Sequence, residues 1–182
     1  MDMITISEKA ILKFIKSFLD NEKIKEIHII AHSMGNQGLF RVLEKLAKEP
    51  AAQKFGQIIL AAPGIASRLF VDNVNLYIEN SKRTTVYVSE EDKAMVASDV
   101  VHKNERLGYC PPVTTVEGID TILVKQSSII NKLFGLNHSY FAEADSLLYD
   151  MKDLIKSNTN PENRLKLVAR NENSLSYWSL DA

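Results

Sequence analysis

Apolar positions in the first third of the chain follow a helix, strand, helix, strand order. Residues 7–20 carry apolar side chains at largely helical spacing and lysines on the opposite face, which predicts a helix with Ser7 as its N-cap. Residues 24–31 are rich in β-branched residues and predict a short strand. A helix is expected over 36–48, and the nearly continuous apolar run at 57–62 is typical of a strand covered on both faces.

The same alternation continues along the rest of the chain. The expected elements are, in chain order, a helix over 66–80, a strand over 84–89, a weakly helical stretch over 92–102, a strand over 118–124 and a helix over 139–156. Strands that alternate with helices predict an α/β fold with three α/β/α layers, a mainly parallel sheet and right-handed crossovers. We expect residues 1–156 to form this core, and residues 157–182 to form a polar C-terminal tail that is partly docked through Tyr177 and Trp178.

Composition narrows the function classes. The 182 residues carry a formal net charge of -1, which argues against a nucleic-acid partner because no strong positive field is available for phosphates. No run approaches the roughly 18 apolar residues of a membrane span. No Cys/His spacing suits zinc, so neither a metal nor another cofactor is expected. The single cysteine, Cys110, excludes an internal disulfide, and Met1–Ser7 lacks a signal-peptide pattern, so we expect a cytoplasmic location.

A candidate catalytic site lies where the predicted strand 24–31 is followed by the predicted helix 36–48. The connection reads Ala31-His32-Ser33-Met34-Gly35, close to the G-x-S-x-G nucleophile elbow, with alanine in place of the first glycine. A serine hydroxyl needs a base, a group that orients the base, and donors for the oxyanion. The elbow predicts Ser33 as nucleophile and the Met34 N–H as one oxyanion donor. The alternative is the same five-residue string in an ordinary turn.

A triad on this type of turn follows the chain order Ser, Asp or Glu, His. Asp92 lies just past the carboxyl end of the predicted strand 84–89, and His138 directly precedes the last long helix. Both positions reach the same edge of a parallel sheet as the elbow. Order and placement therefore predict a triad of Ser33, Asp92 and His138.

Other residues of the right type are alternatives for the base and the acid. His28 alternates with apolar residues inside a predicted strand, which favours a core position, and His32 is expected to point away from its neighbouring serine. His102 lies in a charged segment that is typical of a protein surface. The alternative acids are Glu90, Glu91 and Asp99, which neighbour Asp92, and, more weakly, Asp72 and Asp120.

Four segments together resemble the α/β-hydrolase superfamily, most closely a subgroup of mainly bacterial hydrolases of unknown function. These segments are residues 27–36, 58–63, 87–92 and 137–141. The resemblance covers residues 24–155. It implies a serine hydrolase that acts on a small ester or related acyl substrate through an acyl-enzyme, and it assigns the triad to Ser33, Asp92 and His138. A peptidase or thioesterase with the same triad is not separated from an esterase.

The sequence departs from this superfamily in two ways. Gly64 and Ala66 stand where members of the subgroup often carry acidic residues. A full sheet of the superfamily has about eight strands, with the elbow after the fifth. Only one helix and one strand are predicted before Ser33, so the fold is expected to be truncated and to lack the loop that donates the second oxyanion N–H. Loss of one such donor costs about a hundred- to a thousand-fold in rate.

This truncation carries two further expectations. The elbow strand becomes a sheet edge, which then either pairs with a second copy or a partner chain, or is buried under the N-terminal helix. The alternative function is a truncated, catalytically weak or inactive hydrolase remnant that acts as an interaction module or as half of a split enzyme.

Overall fold

The computed structural model describes residues 3–48, 55–90, 106–110, 112–124, 141–172 and 175–180. The α-helices in these ranges are α1 (Met3–Leu19), α2 (Gly35–Leu46), α3 (Ser67–Asp72), α4 (Asn75–Asn80) and α5 (Phe141–Ser157), with a 3₁₀ turn at Pro161–Asn163. The strands are β1 (Ile29–His32), β2 (Phe55–Ala61), β3 (Ser81–Glu90), β4 (Tyr109–Cys110), β5 (Ile119–Val124), β6 (Leu167–Glu172) and β7 (Leu175–Leu180).

The described strands form one mainly parallel sheet. Their order is β1-β2-β3-β5-β7-β6, and the short β4 pairs with the carboxyl end of β3. Every pairing is parallel except that of β6 with β7. The predicted mainly parallel sheet is confirmed. Among the described strands β1, which leads into the elbow, lies at one edge of the sheet, as the sequence predicts.

Two hydrophobic clusters lie on the two faces of the sheet. Because side chains alternate along a strand, Ile58 and Leu60 of β2 face one cluster, whereas Ile59 and Ala61 face the other. The first cluster includes apolar residues of α1, α2, α3 and α4, and the second includes Leu147, Met151 and Leu154 of α5. The predicted three α/β/α layers are therefore confirmed.

The elbow strand is shorter than the pattern of β-branched residues indicates. The Gly56 N–H donates to the Ile27 carbonyl at 2.8 Å, and the Gln57 N–H donates to Nδ1 of His28 at 3.1 Å. The His28 side chain thus accepts the Gln57 N–H, which would bond to a backbone carbonyl in a regular parallel sheet. Regular pairing between β1 and β2 starts only at Ile29.

The single helix expected over 66–80 is interrupted. Helix α3 ends at Asp72, and α4 begins at Asn75. The Asn73 side-chain amide donates to the Leu69 carbonyl at 2.9 Å, while its backbone N–H bonds to Phe70. Asparagine side chains that bond nearby backbone compete with helix continuation, which explains the break.

The C-terminal segment differs from the expected polar tail. Residues 167–180 form the β6–β7 hairpin, and β7 pairs with β5 as an integral strand of the sheet. Tyr177 contributes to the cluster on one face, and Leu180 contributes to the cluster on the other, with Trp178 packed beside it. Serine and apolar residues are mixed in β7, so its sequence does not indicate a strand that is covered on both faces.

Candidate active site

Ser33 sits in a backbone conformation that few serines adopt. It follows β1 directly, and α2 begins two residues later at Gly35. Its φ is +48°, in the left-handed region. A non-glycine residue there is strained, and such strain persists only where surrounding contacts hold it. The local structure at residues 31–35 is therefore a sharp turn between a strand and a helix, as the nucleophile-elbow pattern predicts.

Hydrogen bonds on both sides of Ser33 hold this turn. The Ser33 N–H donates to the Ala61 carbonyl of β2 at 3.1 Å. The Ser33 carbonyl accepts from the backbone N–H of Asn36 at 3.2 Å, from the Asn36 side-chain amide at 3.0 Å and from the Gly64 N–H at 3.0 Å. The turn is thus tied to the neighbouring strand and to the first turn of α2.

A second turn, at the end of β2, packs against the first. Ala62 has a φ of +42°. A Cβ on Gly64 would lie 3.2 Å from the carbonyl carbon and oxygen of Ser33 and 3.4 Å from the Met34 nitrogen. A Cβ on Gly108 would lie 2.4 Å from the Ala62 carbonyl carbon. Glycine at position 64 thus lets the two turns approach closely.

The two elbow residues that carry the candidate nucleophile and oxyanion donor are at least partly exposed. Ser33 is half-buried, and Met34 is 67% exposed. Within the described part of the chain, neither the Ser33 hydroxyl nor the Met34 N–H has a hydrogen-bond partner. A hydroxyl and a backbone donor on adjacent residues can serve as nucleophile and oxyanion donor for one carbonyl group.

The predicted acid and base, Asp92 and His138, lie outside the described residues, as do Glu91, Asp99 and His102. The elements beside them are described. Strand β3 runs parallel to β1 and ends at Glu90, two residues before Asp92. Helix α5 begins at Phe141, three residues after His138. The triad therefore stays a prediction.

Three of the alternative residues, His28, Asp120 and Asp72, lie away from Ser33 or are engaged elsewhere. His28 lies five residues before Ser33, about 16 Å away at roughly 3.3 Å per residue in extended chain. Asp120 accepts from Arg83 at 2.8 Å. Asp72 pairs with Arg68 on the exposed surface of α3. His32 faces the α5 side of the sheet, on the row of Ala61, and burial lowers the pKa of its imidazole.

A buried polar cluster lies below the same edge on the α5 face. Tyr87 occupies the sheet row of His32, because His32 pairs with Ala61 and Ala61 pairs with Tyr87. The Tyr87 hydroxyl donates to Asp150 Oδ2 at 2.6 Å, and Asp150 Oδ1 lies 3.4 Å from Arg164 Nε. Burial raises the pKa of the Tyr87 hydroxyl well above its ordinary value, and the Asp150 charge adds to this.

The other members of this cluster are also fully enclosed. Both the Asp150 and the Arg164 side chains are 0% exposed. Burial raises the pKa of the Asp150 carboxyl, and the Arg164 charge opposes that shift. The sequence analysis missed this cluster, because nothing in the local patterns around Asp150 or Arg164 indicates that they meet.

The described residues also include a cleft and no metal site. A cleft of about 550 Å³ lies between α2 and α3, lined among others by Gln37, Phe40, Ile65 and Leu69, and Ser33 is not part of its wall. The described ranges contain no group of three histidine, cysteine, aspartate or glutamate side chains able to hold a metal ion. No helix within them is long and apolar enough to cross a membrane.

Comparison with known proteins gives one match. A family model described as an alpha/beta hydrolase of unknown function (DUF900) matches residues 2–158. No curated protein and no solved structure matches the chain. The matched range contains the elbow, the turn after β2 and all of α5.

Proposed function

Because the chain belongs to the DUF900 family of α/β hydrolases of unknown function, we propose that it is a serine hydrolase whose nucleophile is Ser33. The substrate is a carboxylic ester or related acyl compound. The elbow itself supplies one oxyanion donor, the Met34 N–H.

The reaction proceeds through an acyl-enzyme. His138 takes the proton of the Ser33 hydroxyl as its oxygen forms a bond with the substrate carbonyl carbon, and Asp92 orients the imidazole. The oxyanion accepts a hydrogen bond from the Met34 N–H. His138 then protonates the leaving alcohol as the ester bond breaks. Water, deprotonated by the same histidine, attacks the acyl-enzyme and releases the acid and the free Ser33 hydroxyl.

The observation that carries this proposal is the strained turn itself. A φ of +48° at Ser33 is unfavourable for a serine. Four hydrogen bonds and the close approach of Gly64 maintain it. Strain that is held in this way at a partly exposed serine is typical of a catalytic nucleophile.

A fluorophosphonate probe tests this proposal, because an activated serine displaces its fluoride and keeps the phosphonyl group. Tryptic cleavage after Lys25 and Arg41 gives the peptide 26–41, in which Ser33 is the sole serine. We expect mass spectrometry to locate the adduct on this peptide in native protein, and not in heat-denatured protein. No adduct, or an adduct elsewhere in the chain, contradicts the proposal.

A second candidate function is interaction through the elbow strand. Strand β1 is an edge strand of the described sheet, and Ile30 on its α5 face is 44% exposed. The Ser33 N–H bonds to β2, so alternation along the strand turns the backbone groups of Ile30 to the open side. Helix α1 packs against α2 on the opposite face and does not cover Ile30. An edge of this kind can pair with a second copy of the chain.

Replacing Ile30 by lysine tests this second candidate, because a charge on an edge strand opposes pairing. We expect the wild type to form dimers as its concentration rises in sedimentation velocity, and the Ile30→Lys variant to stay monomeric. Leu165→Lys is the matched control, since Leu165 is 84% exposed outside any strand. A wild type that is monomeric throughout, or a Leu165→Lys variant that dissociates equally, argues against pairing through β1.

A further inference from the structure

Asn36 lies in the first turn of α2 and is fully buried. Its side-chain amide nitrogen donates to the carbonyl of Ala31 at 3.1 Å and to the carbonyl of Ser33 at 3.0 Å. These two carbonyls belong to the residues on either side of His32, so one side chain spans the last part of the elbow strand and the turn. The Asn36 backbone N–H also donates to Ser33.

The orientation of this amide is determined by its partners. Two carbonyl oxygens face Nδ2, and an amide turned the other way would place its own oxygen against both of them. In the orientation present, Oδ1 is buried and has no hydrogen-bond donor among the described residues. A buried acceptor without a donor is unfavourable.

The hydrogen bonds of Asn36 fix a peptide plane that matters for catalysis. The Ser33 carbonyl and the Met34 N–H belong to one planar trans peptide, in which the C=O and N–H point in opposite directions. Three donors, the two of Asn36 and the N–H of Gly64, hold the carbonyl on the inner side of the turn. The Met34 N–H therefore points away from these three donors.

We infer that Asn36 is a positioning residue that aims the Met34 N–H at the oxyanion and holds Ser33 in its attacking conformation. This inference rests on the proposed serine hydrolase function. Without the side-chain amide, the Ser33 carbonyl keeps the bonds from the Gly64 N–H and the Asn36 backbone N–H. The turn therefore still forms, but its peptide plane is less constrained, and the rate of attack falls.

The Asn36→Leu variant tests this role, because leucine has the same branched side-chain skeleton without any donor or acceptor. Fluorophosphonate labelling is followed over a range of probe concentrations, which separates the maximal rate from the concentration for half-maximal rate. We expect the maximal rate to fall about ten- to a hundred-fold, since small misplacements of reacting groups have effects of that order. The half-maximal concentration stays close to that of the wild type, and thermal unfolding confirms that the variant is folded at the assay temperature.

The Asn36→Asp variant gives an independent readout. A carboxylate has the shape of the amide but donates no hydrogen bond, whereas a protonated carboxyl donates one. We expect the ratio of the variant's labelling rate to the wild-type rate to rise as the pH is lowered. A residue with only a structural role would give a ratio that does not change with pH while the protein is folded.

Asn80 supplies the matched control. It is also a buried asparagine, and its amide donates to the Leu76 carbonyl at 2.8 Å in α4. Asn80→Leu is expected to leave the maximal labelling rate unchanged. Wild-type protein that labels on Ser33, together with Asn36 variants that label equally fast and show a flat pH ratio, overturns the positioning role alone. A wild type that does not label overturns the proposed function and this inference together.

Discussion

Replacing Ser33 by alanine is expected to lower the turnover of an activated ester such as p-nitrophenyl butyrate by about 10⁴- to 10⁶-fold. The hydroxyl is the group that forms the acyl-enzyme, and no neighbouring side chain can substitute for it. Alanine and serine have similar backbone preferences at positive φ, so the turn at φ +48° is as strained in the variant as in the wild type. Thermal unfolding should therefore shift little.

The control for this variant is an exposed serine outside the elbow. Ser176 is exposed on β7, where its hydroxyl bonds to Asn171. Ser176→Ala is expected to keep full turnover. Equal turnover of Ser33→Ala and wild type would show that any hydrolysis comes from another group or from a contaminating enzyme, and would remove Ser33 from the mechanism.

The same assay separates the predicted base and acid from their alternatives. His138→Ala is expected to lose about as much turnover as Ser33→Ala, and Asp92→Asn somewhat less, because the members of a triad act as one unit. His102→Ala and Asp99→Asn are matched controls of the same residue types and should keep turnover. If a control variant lost turnover while its counterpart at His138 or Asp92 kept it, the role of base or acid would pass to the control residue.

The elbow could be predicted from the sequence because its signals are local. A run of β-branched residues, small residues around Ser33 and an amphipathic helix are adjacent in the chain, and each has a direct conformational consequence. The alternation of elements likewise predicted the layers. Where the structure departs, a specific contact is the cause: the His28 side chain shortens β1, and Asn73 divides the helix expected over 66–80.

Contacts between distant parts of the chain could not be predicted in this way. Gly64 supports Ser33 from 31 positions away, and Gly108 packs on Ala62 from 46 positions away. A glycine beside a proline, as at Pro63-Gly64, indicates a turn, but not the residue against which the turn packs. Asn36 was visible only as an asparagine at a helix start, where that residue type is common for reasons of capping.

The buried cluster of Tyr87, Asp150 and Arg164 has the largest expected effect on stability. Asp150→Ala is expected to lower the free energy of unfolding by about 3–5 kcal/mol, because it leaves a buried guanidinium without its counter-charge. The Tyr87 hydroxyl also loses its acceptor at 2.6 Å. For a chain of this length the thermal midpoint should fall by roughly 2–4 °C for each kcal/mol. Urea unfolding of the purified variant measures the change directly.

An exposed ion pair provides the comparison for the loss of stability expected in Asp150→Ala. Asp72 and Arg68 lie 3.7 Å apart, with side chains 62% and 93% exposed. Pairs exposed to solvent contribute at most about 1 kcal/mol, so Asp72→Ala should be nearly neutral. If Asp150→Ala were as mild as Asp72→Ala, the Asp150 carboxyl would not be a buried counter-charge for Arg164.

The geometry of the cluster further predicts that the protein loses stability when one of the three polar groups is removed, but not when all three are replaced together. Within the described part of the chain, no nitrogen of the Arg164 guanidinium has a hydrogen-bond partner, although the side chain is fully buried. The ion pair therefore recovers only part of the desolvation penalty of its two charges. Replacing all three polar groups together, as Tyr87→Phe, Asp150→Leu and Arg164→Met, should restore wild-type stability or exceed it. If the triple variant is instead as unstable as Asp150→Ala, the ion pair itself stabilises the fold, and the unpaired guanidinium is not what destabilises the single variant.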